Sequence, residues 1–175
     1  MEIIASQYDK DWERASTMLL DVVAWLDSMK TSLWSKEQVS IESLREHYLL
    51  DQLFWLRYDS QLVGVVFLMD SDPFFWPEQD TKSSLYFHNL AIHPDYSNKG
   101  LGNMALDKIR EHAISIGCEF VRLDCDDREP LHRFYSNNGY QLIDIKLMQS
   151  YSVARYELPI ISPKRQSRTE AKVPS

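Results

Sequence analysis

Apolar positions recur along the chain with two periods, one helical and one extended. Trp12, Ala15, Leu19, Val22, Leu26 and Met29 stand three or four residues apart, the stripe of an amphipathic helix. Asp9 or Asp11 is the expected cap, because a carboxylate accepts from free first-turn amides. A second helix is predicted from Glu37 to about Leu49, with Ile41, Leu44 and Tyr48 on one face. Glu2–Ser6 reads as a first strand. Gln52–Tyr58 and Leu62–Met69 are β-rich runs joined by Asp59-Ser60-Gln61, a hairpin. Ser71 to Ser84 is a loop marked by Pro73 and Pro77, with Phe74, Phe75 and Trp76 crowded into it. Leu85–Ile92 is the next strand, closed by His93-Pro94-Asp95. A helix then opens near Gly100 and runs through Leu101, Ala105, Ile109, Ala113 and Ile116 to a glycine stop at Gly117. Phe120–Cys125 is a strand and Pro130–Asn138 a short helix. Tyr140–Met148 and Tyr151–Leu158 close the pattern as a strand pair.

This order, βααβββαβαββ, predicts one α/β (α+β) domain over residues 1–160 with a mixed, mostly antiparallel sheet. Only the crossover from Leu85 to Cys125 demands parallel strands. Residues 161–175 form a basic tail, expected to be a loose extension.

Composition narrows the function. With 175 residues, 44% of them hydrophobic and 26% charged, the chain can bury one good core. A net charge of −7, with the tail itself basic, disfavours extensive nucleic-acid binding. No apolar run approaches the ~20 residues of a membrane span, so no membrane partner is expected. The start shows no secretory leader, and Cys118 and Cys125 are too few for a disulfide framework, which points to a cytoplasmic protein.

The most informative stretch runs from Leu90 to Asn103, where a strand ends, a loop turns and two glycines open a helix. First-turn amides of a helix carry partial positive charge and suit a phosphate. Gly100 and Gly102 have no side chain to hold a pyrophosphate away, and Lys99 adds a formal charge. Gly100-x-Gly102-x-x-Ala105 also fits the dinucleotide fingerprint, with Asp124 ~20 residues further on. That reading ranks second. A dinucleotide turn follows its strand at once, whereas seven residues separate Ile92 from Gly100, and little chain remains for a second βαβ half.

A further constellation decides the preference. Leu90-Ala91-Ile92-His93-Pro94-Asp95-Tyr96, then Ser97-Asn98-Lys99-Gly100-Leu101-Gly102, then Phe134-Tyr135-x-x-x-Gly139-Tyr140 resemble the signatures of the GNAT superfamily of N-acetyltransferases. The element order is similar over roughly residues 2–158. Two positions depart: Ser97 stands where the family carries Arg or Gln, and Arg128 where an Asn is common, seven residues before the motif tyrosine.

The resemblance implies a GNAT-like sheet of about seven strands with four helices, and transfer of an acetyl group from acetyl-CoA to a primary amine of a small molecule. Acetyl-CoA would lie between Leu85–Ile92 and Phe120–Cys125. Its pantetheine would pair with backbone around Leu90, Ala91 and Ile92. Its pyrophosphate would sit on the turn Ser97, Asn98, Lys99, Gly100, Leu101, Gly102 and Asn103, with Arg128 in reach. An amide near Leu90 or Ala91 would stabilise the oxyanion. Tyr135 fits the general acid that protonates the leaving thiolate. His88, placed two before Leu90 and so expected on the face of Leu90 and Ile92, can serve as base. Trp25, Trp34, Phe74, Phe75 and Trp76 are candidates to line the acceptor pocket, with Trp34, Phe75 and Trp76 foremost.

Other features are weaker. Asp124, Asp126 and Asp127 read as strand-end solvation, and no metal is expected. Cys125 shows no sign of nucleophilic activation. The acidity of Asp70, Asp72, Glu78 and Asp80 reads either as solvated surface charge or as a preference for a small cationic acceptor, such as a polyamine or amino sugar. A non-catalytic acyl-CoA-binding module and an NAD-binding domain are the competing readings. Homodimer formation through the last strands is a further expectation.

Overall fold

The computed structural model of the chain describes residues 1–78 and 83–160. The basic tail and Asp80 lie outside the described residues. Seven strands and four helices follow in the order β1 (Glu2–Ala5), α1 (Asp11–Ser28), α2 (Ile41–His47), β2 (Leu53–Tyr58), β3 (Gln61–Met69), β4 (Ser84–Ile92), α3 (Leu101–Ser115), β5 (Phe120–Asp126), α4 (Glu129–Asn137), β6 (Gln141–Leu147) and β7 (Ser152–Pro159). They form one sheet with order β1-β2-β3-β4-β5-β7-β6. Only β4 and β5 run parallel. No helix among the described residues is long and apolar enough to cross a membrane.

Each face of the sheet buries its own core. On one side, α3 and α4 cover Val66, Phe87, Val121 and Leu123. On the other, α1 and the α2 region cover Trp55, Val65, Phe67 and Ala91. The period-2 strands supply both faces, which is why the central strands β3 and β4 carry long buried runs.

Local chemistry sets most boundaries. Asp59 and Ser60 both take positive φ, +49° and +63°, and make a two-residue hairpin turn tighter than the three-residue link expected. Gly117, at φ +79°, ends α3, and Cys118 N–H donates back to the Ala113 carbonyl at 2.9 Å. α2 is shorter than its pattern: Ser40 caps it by accepting from Ser43 N–H, and the chain turns extended at Tyr48. The expected caps of α1 are otherwise employed. Asp11 turns back to accept from the Ser6 hydroxyl and the Tyr8 amide, and Asp9 pairs with Arg45. β6 is an edge strand with Leu142, Ile143, Ile145 and Leu147 exposed.

Candidate active site

β4 and β5 make a fork. They pair at Ser84–Phe120, Leu85–Val121 and Tyr86–Arg122, and beyond that couple no further pairing joins them. β5 continues against β7 to Asp126 and β4 continues against β3 to Ile92, so the two inner edges face a slot. Unpaired strand edges are hydrogen-bonding templates for an extended ligand.

At the far end of β4 the register slips. Phe67 pairs with His88 and Val65 with Ala91, so Asn89 and Leu90 form a bulge, with Asn89 at φ +49°. The slip corrects an expectation. His88 does not share a face with Leu90 and Ile92, because the extra residue returns His88 to the side of Ala91, under α1 and α2. Leu90 and Ile92 pack instead against the α3 core. Gly64 permits this: a Cβ there would lie 2.3 Å from the Ala91 carbonyl oxygen.

The turn before α3 is built as the glycine pattern requires. Asn98 and Gly100 take left-handed φ of +58° and +71°. Gly100 is the N-cap and supplies no capping side chain, so the amides of Leu101, Gly102 and Asn103 keep free donors. Leu101 itself is buried in the core. Gly102 lies where a Cβ would meet the Phe134 ring at 3.3 Å, which seats α4 against α3. Asn138, unremarked in the sequence, ties the same helices by donating to Asn103 Oδ1 at 3.1 Å. Ser97 closes the preceding 3-10 turn, and Lys99 lies over the Tyr96 ring at 5.3 Å.

Tyr135 is 8% exposed and stands among Phe87, Tyr140 and Tyr156, with ring centroids 5.5–6.3 Å away. Burial, then neighbouring Cys125, holds its phenol well above the ordinary range, so it keeps its proton at neutral pH. Phe87, which it touches, precedes His88 in β4. The two candidate catalytic groups therefore flank the fork on opposite faces.

On its own face His88 meets two carboxylates. Its Nε2 lies 3.2 Å from Asp72 Oδ2 and its Nδ1 3.6 Å from Asp124 Oδ1. His88 and Asp124 each stand two residues beyond the last paired couple of the fork. Burial lowers the imidazole pKa, but the direct contact with the Asp72 carboxylate, then the Asp124 and Asp72 charges, outweigh it and raise the pKa overall. Burial pushes Asp124 up to about 6, against the pull of His88. Tyr48 and Phe75 wall the cluster, with ring centroids 6.2 and 6.3 Å from the imidazole. The Tyr48 hydroxyl donates to Asn89 Oδ1 at 3.2 Å, which ties this wall to the bulge.

Two expected site residues are placed elsewhere. Trp76 is 1% exposed, between the guanidinium groups of Arg155 (4.8 Å) and Arg122 (5.4 Å), so its ring is a buried peg and not a pocket wall. Arg122 is held by Glu157 and Ser84, and Arg155 by Asp144 and Glu78. The Arg128 guanidinium is engaged by Asp126 and by the Thr31 and Ser32 carbonyls, at 2.5, 3.2 and 2.9 Å. It straps α4 to the α1–α2 loop. Trp34 is half-buried beside the α1–α2 core, and Phe75 faces the cluster.

Residues 19–140 match the model of the acetyltransferase (GNAT) family, a span that holds the fork, the glycine turn and Tyr135. The chain belongs to the GNAT acetyltransferase family. Among its relatives, the uncharacterized N-acetyltransferase YesJ of Bacillus subtilis is 27% identical over 142 residues, 77% of this chain and 78% of that protein. The fold is shared with a GNAT-family acetyltransferase from Listeria monocytogenes, at TM-score 0.68 and 17% identity, over 89% of this chain and 94% of that one. It is also shared with yncA of Salmonella typhimurium, solved with its cofactor acetyl-CoA, at TM-score 0.61 and 14% identity, over 93% and 95% of the two chains. The glycine turn and Tyr135 both lie on motifs legible in the sequence. Asp72, by contrast, comes from an irregular loop, and no sequence motif marked it as a partner of His88.

Proposed function

We propose that this protein transfers an acetyl group from acetyl-CoA to a primary amine of a small molecule. The observation that carries the reading is the fork, with an open strand edge on β4, an uncapped glycine turn at its mouth and Tyr135 and His88 on either side. The amide-bearing pantetheine suits the free backbone of Leu90–Ile92, which can accept and donate as a neighbouring strand does. The pyrophosphate suits the amides between Lys99 and Asn103, beside the Lys99 charge. Arg128 is left out of this set, because its guanidinium already has three partners.

Acetyl-CoA supplies an acetyl group activated as a thioester. The amine arrives as an ammonium ion, and His88 takes the first of the two protons that nitrogen must lose. As the carbon–nitrogen bond forms and the carbon–sulfur bond breaks, Tyr135 delivers a proton to sulfur and is reprotonated by the second. A fixed amide near Leu90 or Ala91 stabilises the charge that develops on the carbonyl oxygen. Phe75 and Trp34 line the acceptor side, and the exposed β6 edge is the surface on which self-association would rest.

The test is thiol release from acetyl-CoA across a panel of small amines, with thermal unfolding alongside. Acetyl-CoA at 100 times its Kd stabilises by ~2.7 kcal/mol. Tyr135→Phe is expected to keep that stabilisation and lose ~10²-fold or more in kcat. Full activity in Tyr135→Phe refutes the acid role, and the absence of any thermal shift with acetyl-CoA refutes the reading itself.

A further inference from the structure

The proton acceptor assigned above sits in a cluster with unmet hydrogen-bonding capacity. Asp72 Oδ2 and Asp124 Oδ1 are both buried and lack a hydrogen-bond partner among the described residues; their contacts with His88 are close but lack hydrogen-bond geometry. The Asp72 and Asp124 side chains are only 6% and 10% exposed. The other Asp72 oxygen accepts from the Phe75 amide at 3.1 Å, so the loop itself holds Oδ2 toward His88. One ligand atom each from Asp72, His88 and Asp124 can be chosen within 4.8 Å of one another. Buried anionic oxygens without partners are costly, and they mark a place where donors are wanted.

An ammonium group meets that want. It has three N–H donors. At donor–acceptor distances of ~2.8 Å one ammonium nitrogen can reach all three residues, whose ligand atoms lie within 4.8 Å of one another. Aromatic rings beside the imidazole favour a cation as well. We propose that Asp72 Oδ2, Asp124 Oδ1 and the His88 imidazole form the seat for the acceptor's ammonium group, and that His88 takes the proton from it. The assignment rests on the acetyl-transfer reading and names its acceptor class: a primary amine that is protonated at neutral pH and carries a hydrocarbon neighbour between Tyr48 and Phe75.

The charged and titratable groups that face the seat are Asp72 from the β3–β4 loop, Asp124 from β5 and the Tyr48 hydroxyl from the end of α2. Arg155 of β7 acts on Asp124 from further away. Asp72 and Asp124 favour a cation, and the proton on His88 is the cation that the acceptor must displace. Binding of the ammonium ion and prior protonation of His88 are therefore mutually exclusive.

The test follows the His88 imidazole by NMR between about pH 5 and 9, in CoA-saturated protein, with propylammonium chloride or sodium chloride at equal ionic strength. Propylammonium at three times its Kd is expected to lower the apparent His88 pKa by about 0.6 units, and sodium to leave it unchanged. Asp124→Asn and Asp72→Asn are each expected to abolish the propylammonium effect. An unchanged His88 titration in propylammonium, in a protein that acetyl-CoA still stabilises, overturns the seat and leaves the acetyl-transfer reading standing. A resonance that moves with stoichiometric zinc and not with propylammonium makes the cluster a metal site and overturns it equally. If Asp124→Asn does not fold, Asp72→Asn and the wild-type competition decide.

Discussion

Gly64 holds the bulge that orients the site, and Gly64→Ala tests that link. The added Cβ would stand 2.3 Å from the Ala91 carbonyl oxygen, with the side chains of Ile92 and Leu56 each at 3.0 Å. Side-chain tips can turn aside, but a carbonyl in a strand ladder cannot. Bringing 2.3 Å to 3.0 Å parts β3 from β4 by roughly 0.7 Å in a close-packed interior. Overpacking of this kind costs 1–3 kcal/mol, and a backbone neighbour places the cost near ~3 kcal/mol. For a domain of this size that is a fall in Tm of ~6–12 °C. Gly117→Ala is the control: φ there is +79° and no atom lies within 4 Å of the new Cβ, so only the left-handed backbone is charged for, ~1 kcal/mol. Urea unfolding of both variants separates the two costs. Acetyl-CoA binding is expected to weaken in Gly64→Ala alone, because the displaced strand carries Leu90–Ile92. A Gly64→Ala protein within ~0.5 kcal/mol of wild type, or no worse than Gly117→Ala, refutes the claim that a close backbone approach fixes the bulge.

Three further outcomes follow from the site. Trp76→Ala removes a fully buried ring from between Arg122 and Arg155 and is expected to cost ~3–5 kcal/mol by urea unfolding. It should also loosen the loop that presents Asp72, so any folded fraction loses activity. The His88 pKa is raised overall, so kcat/KM should climb with pH through an ionisation above the ordinary ~6.5. Asp72→Asn removes a charge that favours the imidazolium, and the acid limb should move to lower pH; a uniform loss with an unmoved limb would assign Asp72 a structural role only. By the same linkage, the stability this ion pair contributes is complete below the unfolded pKa and is lost as pH rises through the folded one. Burial, reinforced by Asp124, pushes the Cys125 thiol up to about 12, so it is a poor nucleophile at neutral pH. Mass spectrometry should find no acetyl group on Cys125, and Cys125→Ala should retain activity.

The amino-acid sequence by itself determined whatever depends on near neighbours. Helical stripes, the β2–β3 turn, the glycine stop of α3 and the Gly100 turn each need only a few consecutive residues, and apart from a shortened α2 and a turn one residue tighter than expected they appear where the pattern places them. The parallel crossover was legible too, because a helix must intervene between parallel neighbours. What the tertiary structure alone decided is which side chains meet. His88 changed faces because one extra residue enters β4 at Asn89, and side chains alternate with a period of two, so a slip of one reverses them all. Asp72, His88 and Asp124 come from a loop and two strands, and only the sheet register brings them together. Trp76 and Arg128 were read as parts of a site by their type and neighbourhood, yet buried cations claimed the ring and distant carbonyls claimed the guanidinium. Local pattern sets where an element begins and which way it can turn. The partners of a buried polar group are set by packing across the sheet, where most donors and acceptors take a neighbour that spares them an unpaired burial.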